Sequence, residues 1–164
     1  MYNNDRRRAF VFTLALLGAL ATAAYADIAA GARSAIQNTY RQQNAALDRK
    51  DAAGALAHTS PDYVGTDLKG DQFNLQARKD GLPAIFALVK SMRTTTRIVT
   101  FALQSTRAAA DVKAVERQEV TIHNAQTGAE QSGVMDMTVL DHWISTDQGW
   151  MLQSRRQLDY KRLQ

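Results

Sequence analysis

Two carboxylates occupy positions where acid–base chemistry is conceivable, and the first is Asp141, which the strand pattern predicts to be partly desolvated. It belongs to a predicted strand, and side chains alternate between the two faces of a strand. The residues that share its face are mostly large and apolar: Met135, Met137, Val139 and Trp143. Such surroundings strip water from a carboxylate and favour its protonated form. Two other placements stay open, an open rim of the sheet or an ion pair with an arginine such as Arg156.

Asp67 is the second carboxylate, and it follows a short predicted strand over residues 63–66. It opens the stretch Asp67-Leu68-Lys69-Gly70-Asp71, which is typical of a turn. An aspartate at such a position often accepts hydrogen bonds from its own backbone. A purely structural role in the turn therefore stands beside any chemical role.

Other residue types exclude several kinds of chemistry. Cysteine is absent, which excludes disulfides, thiolate nucleophiles and cysteine-based metal sites. The three histidines, His58, His123 and His142, are dispersed along the chain, so we predict no metal site and no cofactor.

Polar and aromatic side chains in the predicted strands are further candidates. Glu116 and Gln118 share one strand face with apolar residues, and either line a pocket or lie at a solvent-exposed edge. The large aromatic residues are typical of a core, part of which can also line a pocket: Tyr63, Phe86, Phe101, Trp143 and Trp150.

The elements that must position these residues are helices first and strands afterwards. Helices are predicted over 28–48, over 52–58 with Asp51 as N-cap, and over 74–92 with an interruption near Pro83. Strands are predicted over 63–66, 94–106, 111–123, 133–145 and 150–160, with loops at 124–128 and 146–149. Helices that precede an antiparallel sheet predict an α+β domain with the helices on one face.

The first 26 residues have the composition of an export signal. Arg6, Arg7 and Arg8 precede an uncharged apolar run, and Ala24-Tyr25-Ala26 matches the small-residue cleavage pattern. We therefore predict a signal peptide over 1–26, a domain over 27–164, and a periplasmic or secreted protein. An uncleaved membrane anchor and export by the twin-arginine route are the alternatives.

The charge of the predicted mature part is close to balanced. It has 17 basic and 15 acidic residues, without a basic stripe. Nucleic-acid binding proteins carry such a stripe or a high local charge, so we predict no nucleic-acid partner. We also predict no membrane contact once the signal is cleaved.

Three segments resemble the nuclear transport factor 2-like superfamily, which includes ketosteroid isomerase and the SnoaL-like proteins. They lie in residues 40–56, in residues 61–70 around Tyr63-Val64-Gly65-Thr66-Asp67, and in residues 140–152 around Leu140-Asp141-His142-Trp143-Ile144. The resemblance covers about residues 34–158. It implies a cone, in which a strongly curved antiparallel sheet wraps around N-terminal helices and leaves a pocket at the wide end, and it implies a possible homodimer formed through the sheets.

The resemblance also suggests roles for individual residues. Asp67 lies where ketosteroid isomerase-like proteins keep their general base, and Asp141 lies where they keep a protonated aspartate that donates to an oxyanion. Their first-helix tyrosine corresponds to Gln43, with Tyr40 nearly one turn away. The carboxylate–arginine–carboxylate set of limonene epoxide hydrolases has no evident match, although three arginines leave it open: Arg97, Arg117 and Arg155.

These observations favour an exported single-domain protein that binds a small apolar ligand or a partner in its cone pocket, without a complete catalytic set. The predicted ligand-binding residues are Tyr40, Gln43, Tyr63 and Trp143. The alternative is a small-molecule isomerase or lyase, with Asp67 as base and Asp141 as acid or oxyanion donor. A purely structural dimerisation module is a third interpretation.

Overall fold

The computed structural model describes the backbone of residues 5–123 and 127–163 and, within these ranges, the side chains from residue 25 onward. Two helices come first, α1 (Asp5–Asp48) and α2 (Ala52–Leu56). Strands β1 (Thr59–Thr66) and β2 (Gln72–Asn74) follow, and then helix α3 (Leu75–Leu88). The remainder is four long strands: β3 (Val89–Leu103), β4 (Ala109–His123), β5 (Glu130–Thr146) and β6 (Gly149–Arg162).

All six strands form one open sheet in the order β2-β1-β6-β5-β4-β3. Register shifts interrupt the pairing within β3–β4 and within β5–β6, and such irregularities bend and twist a sheet. The curved sheet and its helices confirm the predicted α+β cone. The sheet was predicted to be antiparallel, but it is mixed, because β1 runs parallel to β6. No hairpin joins these two strands, so no turn dictates their relative direction.

Helix α1 packs into the concave face of the sheet. Ile36 and Tyr40 are fully buried and form one cluster with four residues of the long strands: Val112, Val139, Trp143 and Leu152. Each fully buried apolar side chain of this size contributes about 1.5–3 kcal/mol to folding. Polar contacts with β3 fix the helix further, because Gln37 Nε2 donates to the Thr96 carbonyl at 3.1 Å.

Helix α1 begins well before the predicted start at residue 28, and it runs through the predicted cleavage pattern at residues 24–26. Tyr25 holds this part of the helix to the sheet, because its hydroxyl donates to the Leu103 carbonyl at 2.7 Å. Residues 1–4 and the side chains up to residue 24 lie outside the described residues, so the signal peptide stays a prediction. Within the described part of the chain, no helix is long and apolar enough to cross a bilayer.

Side chains cap both short helices. Asp51 is the N-cap of α2, as predicted, and accepts a hydrogen bond from the Gly54 amide at 2.9 Å. Asn74 does the same for α3 and accepts from the Ala77 amide at 2.9 Å. Each such cap contributes about 1 kcal/mol, because it pairs an amide that the first helical turn leaves free.

The boundary between α3 and β3 differs from the prediction. Helix α3 continues across Pro83, where an interruption was predicted, and ends at Leu88 rather than at residue 92. The next residues belong to β3, where Val89 is buried and pairs with Ile122 of β4. The helical prediction for residues 89–92 is therefore wrong, because pairing with β4 outweighs a weak local helical pattern.

The two predicted loops lie between the long strands. At the start of β6, directly after the β5–β6 turn, Gly149 adopts a φ of 98°, a conformation that glycine accepts without strain. Residues 124–126 of the other loop lie outside the described residues.

Candidate functional site

A pocket of about 350 Å³ lies between α3 and the concave face of the sheet. Its apolar wall comes from α1, the β1–β2 hairpin, α3 and β5: Leu47, Tyr63, Phe73, Leu82, Ile85 and Met137. Its polar side chains come from α3, β4 and β6: Arg78, Glu116, Gln118, Arg155 and Gln157. One mostly apolar wall with a few polar groups is typical of a site for a small molecule.

The β1–β2 hairpin supplies the aromatic part of the wall. The Phe73 ring lies over Gly65, where a Cβ atom would overlap it, so only glycine allows this close approach. The rings of Phe73 and Tyr63 lie 6.2 Å apart. The hairpin thereby holds two aromatic rings against the pocket.

A buried charge cluster underlies the polar side of the pocket. Asp141 of β5 lies directly opposite Arg155 of β6. The Arg155 Nε and Nη2 atoms donate to the two Asp141 oxygens, each at 2.8 Å, and Nη1 donates to Glu116 Oε2 at 3.0 Å. Only 0%, 8% and 5% of Asp141, Arg155 and Glu116 are exposed. Gln118 Nε2 completes the set by donating to Glu116 Oε1 at 2.6 Å.

Helix α1 connects to this cluster through Tyr40. The Tyr40 hydroxyl donates to Asp141 Oδ2 at 2.6 Å and accepts from Trp143 Nε1 at 3.2 Å. The Tyr40 and Trp143 rings meet edge to face at 5.2 Å. Three donors therefore converge on the Asp141 carboxylate, and it has little capacity left for a ligand.

Burial and neighbouring charges set the protonation of this cluster. Burial raises the pKa of the Tyr40 phenol well above its usual value, and the Asp141 carboxylate raises it further. Burial alone would lower the pKa of Arg155, but Asp141 and Glu116 outweigh it and hold that pKa well above its usual value. Near neutral pH, the cluster thus contains a neutral phenol and a charged guanidinium shared by two carboxylates.

Asp141 is buried on the predicted face, but its partner differs from the arginine considered first. Arg155 makes the ion pair, whereas Arg156 is exposed and lies opposite Leu140. Asp141 itself is not among the residues that line the pocket, because Arg155 and Tyr40 surround its carboxylate.

Asp67 lies in the turn between β1 and β2. Its Oδ1 atom accepts from the amides of Lys69 and Asp71 at 2.8 and 2.9 Å, which is the backbone-capping role of a turn aspartate. It does not line the pocket, so the structure does not bring Asp67 and Asp141 together there. Their catalytic roles stay predictions.

The predicted ligand-binding residues lie at different depths. Tyr63 lies on the pocket wall, whereas the buried residues Tyr40 and Trp143 lie beneath it. Gln43 is 6% exposed, and its Nε2 atom has no hydrogen-bond partner among the described residues. Since side chains three and four residues apart share a helix face, Gln43 lies between Tyr40 and the wall residue Leu47.

Of the two placements left open for Glu116 and Gln118, the structure has them on the pocket wall. Arg78 of α3 was not predicted, because nothing in the local sequence indicates that its helix covers the pocket. His142 lies with Asp111 on the other face of the sheet, where its Nδ1 atom is 2.7 Å from Asp111 Oδ1. Among the described residues, no group of histidine and carboxylate side chains could hold a metal ion.

Comparisons with known proteins support the fold at low sequence identity. No protein-family model matches the chain, and no curated protein matches it. A candidate scytalone dehydratase from Novosphingobium aromaticivorans matches with a TM-score of 0.71 and 15% identity over 85% of this chain and 92% of its own. A ketosteroid isomerase-like protein from Erwinia carotovora matches with a TM-score of 0.58 and 16% identity over 80% of this chain and 95% of its own.

A hexachlorocyclohexane dehydrochlorinase matches with a TM-score of 0.62 and 12% identity over 82% of this chain and 90% of its own. The chain has the nuclear transport factor 2-like fold. Identities this low establish the fold alone, and this fold hosts unrelated functions, so function has to be argued from the site.

Proposed function

We propose that this protein binds a small, largely apolar molecule in the pocket between α3 and the concave face of the sheet. The observation that carries the proposal is the composition of the pocket, with seven apolar and five polar side chains around a volume of about 350 Å³. Ile85 is 49% exposed, so an apolar ligand would remove one of the large exposed apolar side chains from water.

The polar part of the wall favours a ligand that also has a hydrogen-bond acceptor. Gln118 and Gln157 lie on the pocket wall, and a side-chain amide can donate to a carbonyl, ether or hydroxyl oxygen. The polar side chains of the pocket therefore determine how the ligand is oriented, while the apolar wall contributes most of the binding affinity. Export to the periplasm or medium and homodimer formation remain separate proposals from the sequence.

The binding test uses 3-phenylpropanol as the probe and the methyl group of Met137 as the reporter. We expect saturable shifts of the ¹³C-labelled Met137 methyl signal, assigned with Met137→Leu, because this side chain lines the pocket. Met151 belongs to the buried core and should not respond. A response of Met151 alone, or of neither methionine, would contradict the proposal.

A blocking variant gives the matched control. Gly81 lines the pocket, and a Cβ atom at this position would have no neighbouring atom within 4 Å. The variant Gly81→Trp therefore adds a large side chain at the pocket without a steric clash at its Cβ atom. We expect Gly81→Trp to abolish the Met137 response. Ala87→Trp, on an exposed position of α3 outside the pocket, should leave the response unchanged.

Acid–base chemistry at Glu116 is the second candidate function. Glu116 lines the pocket and shares one guanidinium with Asp141. A carboxylate on a pocket wall can accept a proton from a bound substrate that lies within hydrogen-bond reach. The matched folds include a candidate dehydratase, an isomerase-like protein and a dehydrochlorinase, all named for reactions on small molecules.

Deuterium exchange of a ketone tests this candidate and compares the two possible bases. With 4-phenyl-2-butanone in deuterated buffer, we expect wild-type protein to accelerate exchange next to the carbonyl and Glu116→Gln to lose the acceleration. Asp67→Asn should retain it, because Asp67 does not line the pocket. Loss in Asp67→Asn but not in Glu116→Gln would restore Asp67 as the base.

A further inference from the structure

Arg78 places a positive charge on the pocket wall without a carboxylate partner. Its side chain is half-buried, and among the described residues it forms no ion pair. Among the described residues, its guanidinium meets the Tyr63 side chain: Nη1 donates to the Tyr63 hydroxyl at 3.2 Å, and the guanidinium lies 5.4 Å from the centre of the Tyr63 ring. Of the five N–H donors of an arginine, most remain available here.

The other charges of the pocket are arranged differently. Arg155 already donates three hydrogen bonds to two buried carboxylates that offset its charge, so it attracts a ligand carboxylate less than Arg78 does. Glu116 and Asp141 together outnumber Arg155 by one negative charge on that side. The pocket is therefore negative where it meets the cluster and positive at Arg78, and a ligand with one charged group would be oriented by this difference.

We propose that the pocket selects apolar molecules with a carboxylate group and that Arg78 binds this carboxylate. The inference rests on the proposed binding function and adds the class of ligand. A guanidinium pairs with a carboxylate through two parallel hydrogen bonds, and the Tyr63 ring and hydroxyl hold the Arg78 guanidinium in place beforehand. The apolar body of the ligand then contacts Phe73 of the β1–β2 hairpin and Leu82 and Ile85 of α3.

Three probes with the same carbon skeleton test the ligand class: 3-phenylpropionate, 3-phenylpropanol and 3-phenylpropylammonium. Binding is followed by the Met137 methyl signal at pH 7. We expect the carboxylate to bind about fivefold more tightly than the alcohol, since a half-exposed charged pair contributes about 1 kcal/mol. The ammonium compound should bind more weakly than the alcohol.

Variants on α3 assign the preference to Arg78. Arg78→Gln should equalise the carboxylate and the alcohol without loss of alcohol binding, and Arg78→Lys should keep about half of the preference in free-energy terms. Lys79→Gln removes the same charge from the adjacent exposed residue and should keep the full preference.

The outcomes separate the two proposals. Three results would overturn the role of Arg78 but leave the pocket as a binding site. They are alcohol binding without a preference for the carboxylate, a carboxylate preference that survives in Arg78→Gln, and tightest binding of the ammonium compound. Failure of all three probes to shift Met137 would overturn both proposals.

Discussion

Replacing Arg155 with methionine should lower the free energy of unfolding by about 3–5 kcal/mol. The substitution leaves Asp141 and Glu116 buried without their shared cation, and an unpaired buried charge is among the most destabilising changes known for a single residue. Urea unfolding at pH 7, followed by circular dichroism, measures the effect.

Two comparisons isolate charge from packing. Arg156→Met removes an exposed arginine from the next position of the same strand and should change stability by no more than about 0.5 kcal/mol. Adding Asp141→Asn and Glu116→Gln to Arg155→Met removes every charge of the cluster and should recover most of the lost stability. If Arg155→Met costs no more than Arg156→Met, the cluster does not stabilise the fold.

The burial of Asp141 was predictable, but its partner was not. Alternation along the strand correctly placed Asp141 with apolar residues on the inner face of the sheet. A register counted outward from the Thr146–Gly149 pair would place Ser154 opposite Asp141 and turn Arg155 to the other face. A register shift between His142 and Trp143 brings Arg155 opposite instead. Such a shift changes the face of every following side chain, and no local residue pattern predicts it.

Only the pocket residues that belong to strands could be predicted from the sequence. Glu116 and Gln118 follow the same two-residue period as their apolar neighbours, so strand alternation placed them on the inner face. Arg78 lies on the pocket only because α3 crosses the concave face of the sheet, which is tertiary packing. The same limit explains the end of α3, since pairing with β4 draws Val89 into β3.

The buried charge cluster beneath the pocket indicates that the polar side of the pocket is rigid. Asp141 and Tyr40 use most of their hydrogen-bonding capacity within the protein, and Glu116 is the carboxylate of the cluster that faces the pocket. Satisfied buried networks hold their members in one geometry. Among the described residues, Arg78, Gln118 and Gln157 are further polar side chains on the pocket wall that can meet a ligand.

Removing the Tyr40 hydroxyl by Tyr40→Phe should lower the free energy of unfolding by about 2 kcal/mol near pH 7. The variant takes a donor from the buried Asp141 carboxylate and leaves the Trp143 indole N–H without its acceptor. The effect should also depend on pH, because the pKa of Tyr40 is raised in the folded protein.

Because the folded pKa of Tyr40 lies above the unfolded value of about 10, the stabilising contribution is fully present below pH 10 and is lost as the pH rises above it. The unfolded wild type gains free energy by releasing the phenol proton, which the phenylalanine variant cannot do. The stability gap between the two proteins should therefore narrow by about 1.4 kcal/mol per pH unit above pH 10. Urea unfolding from pH 7 to pH 11 measures it, with Tyr160→Phe at an exposed position as the matched control. A stability gap that stays constant to pH 11 would show that the Tyr40 phenol ionises as readily inside the fold as in the unfolded chain, and a gap that widens would show that it ionises more readily; either result would contradict the prediction.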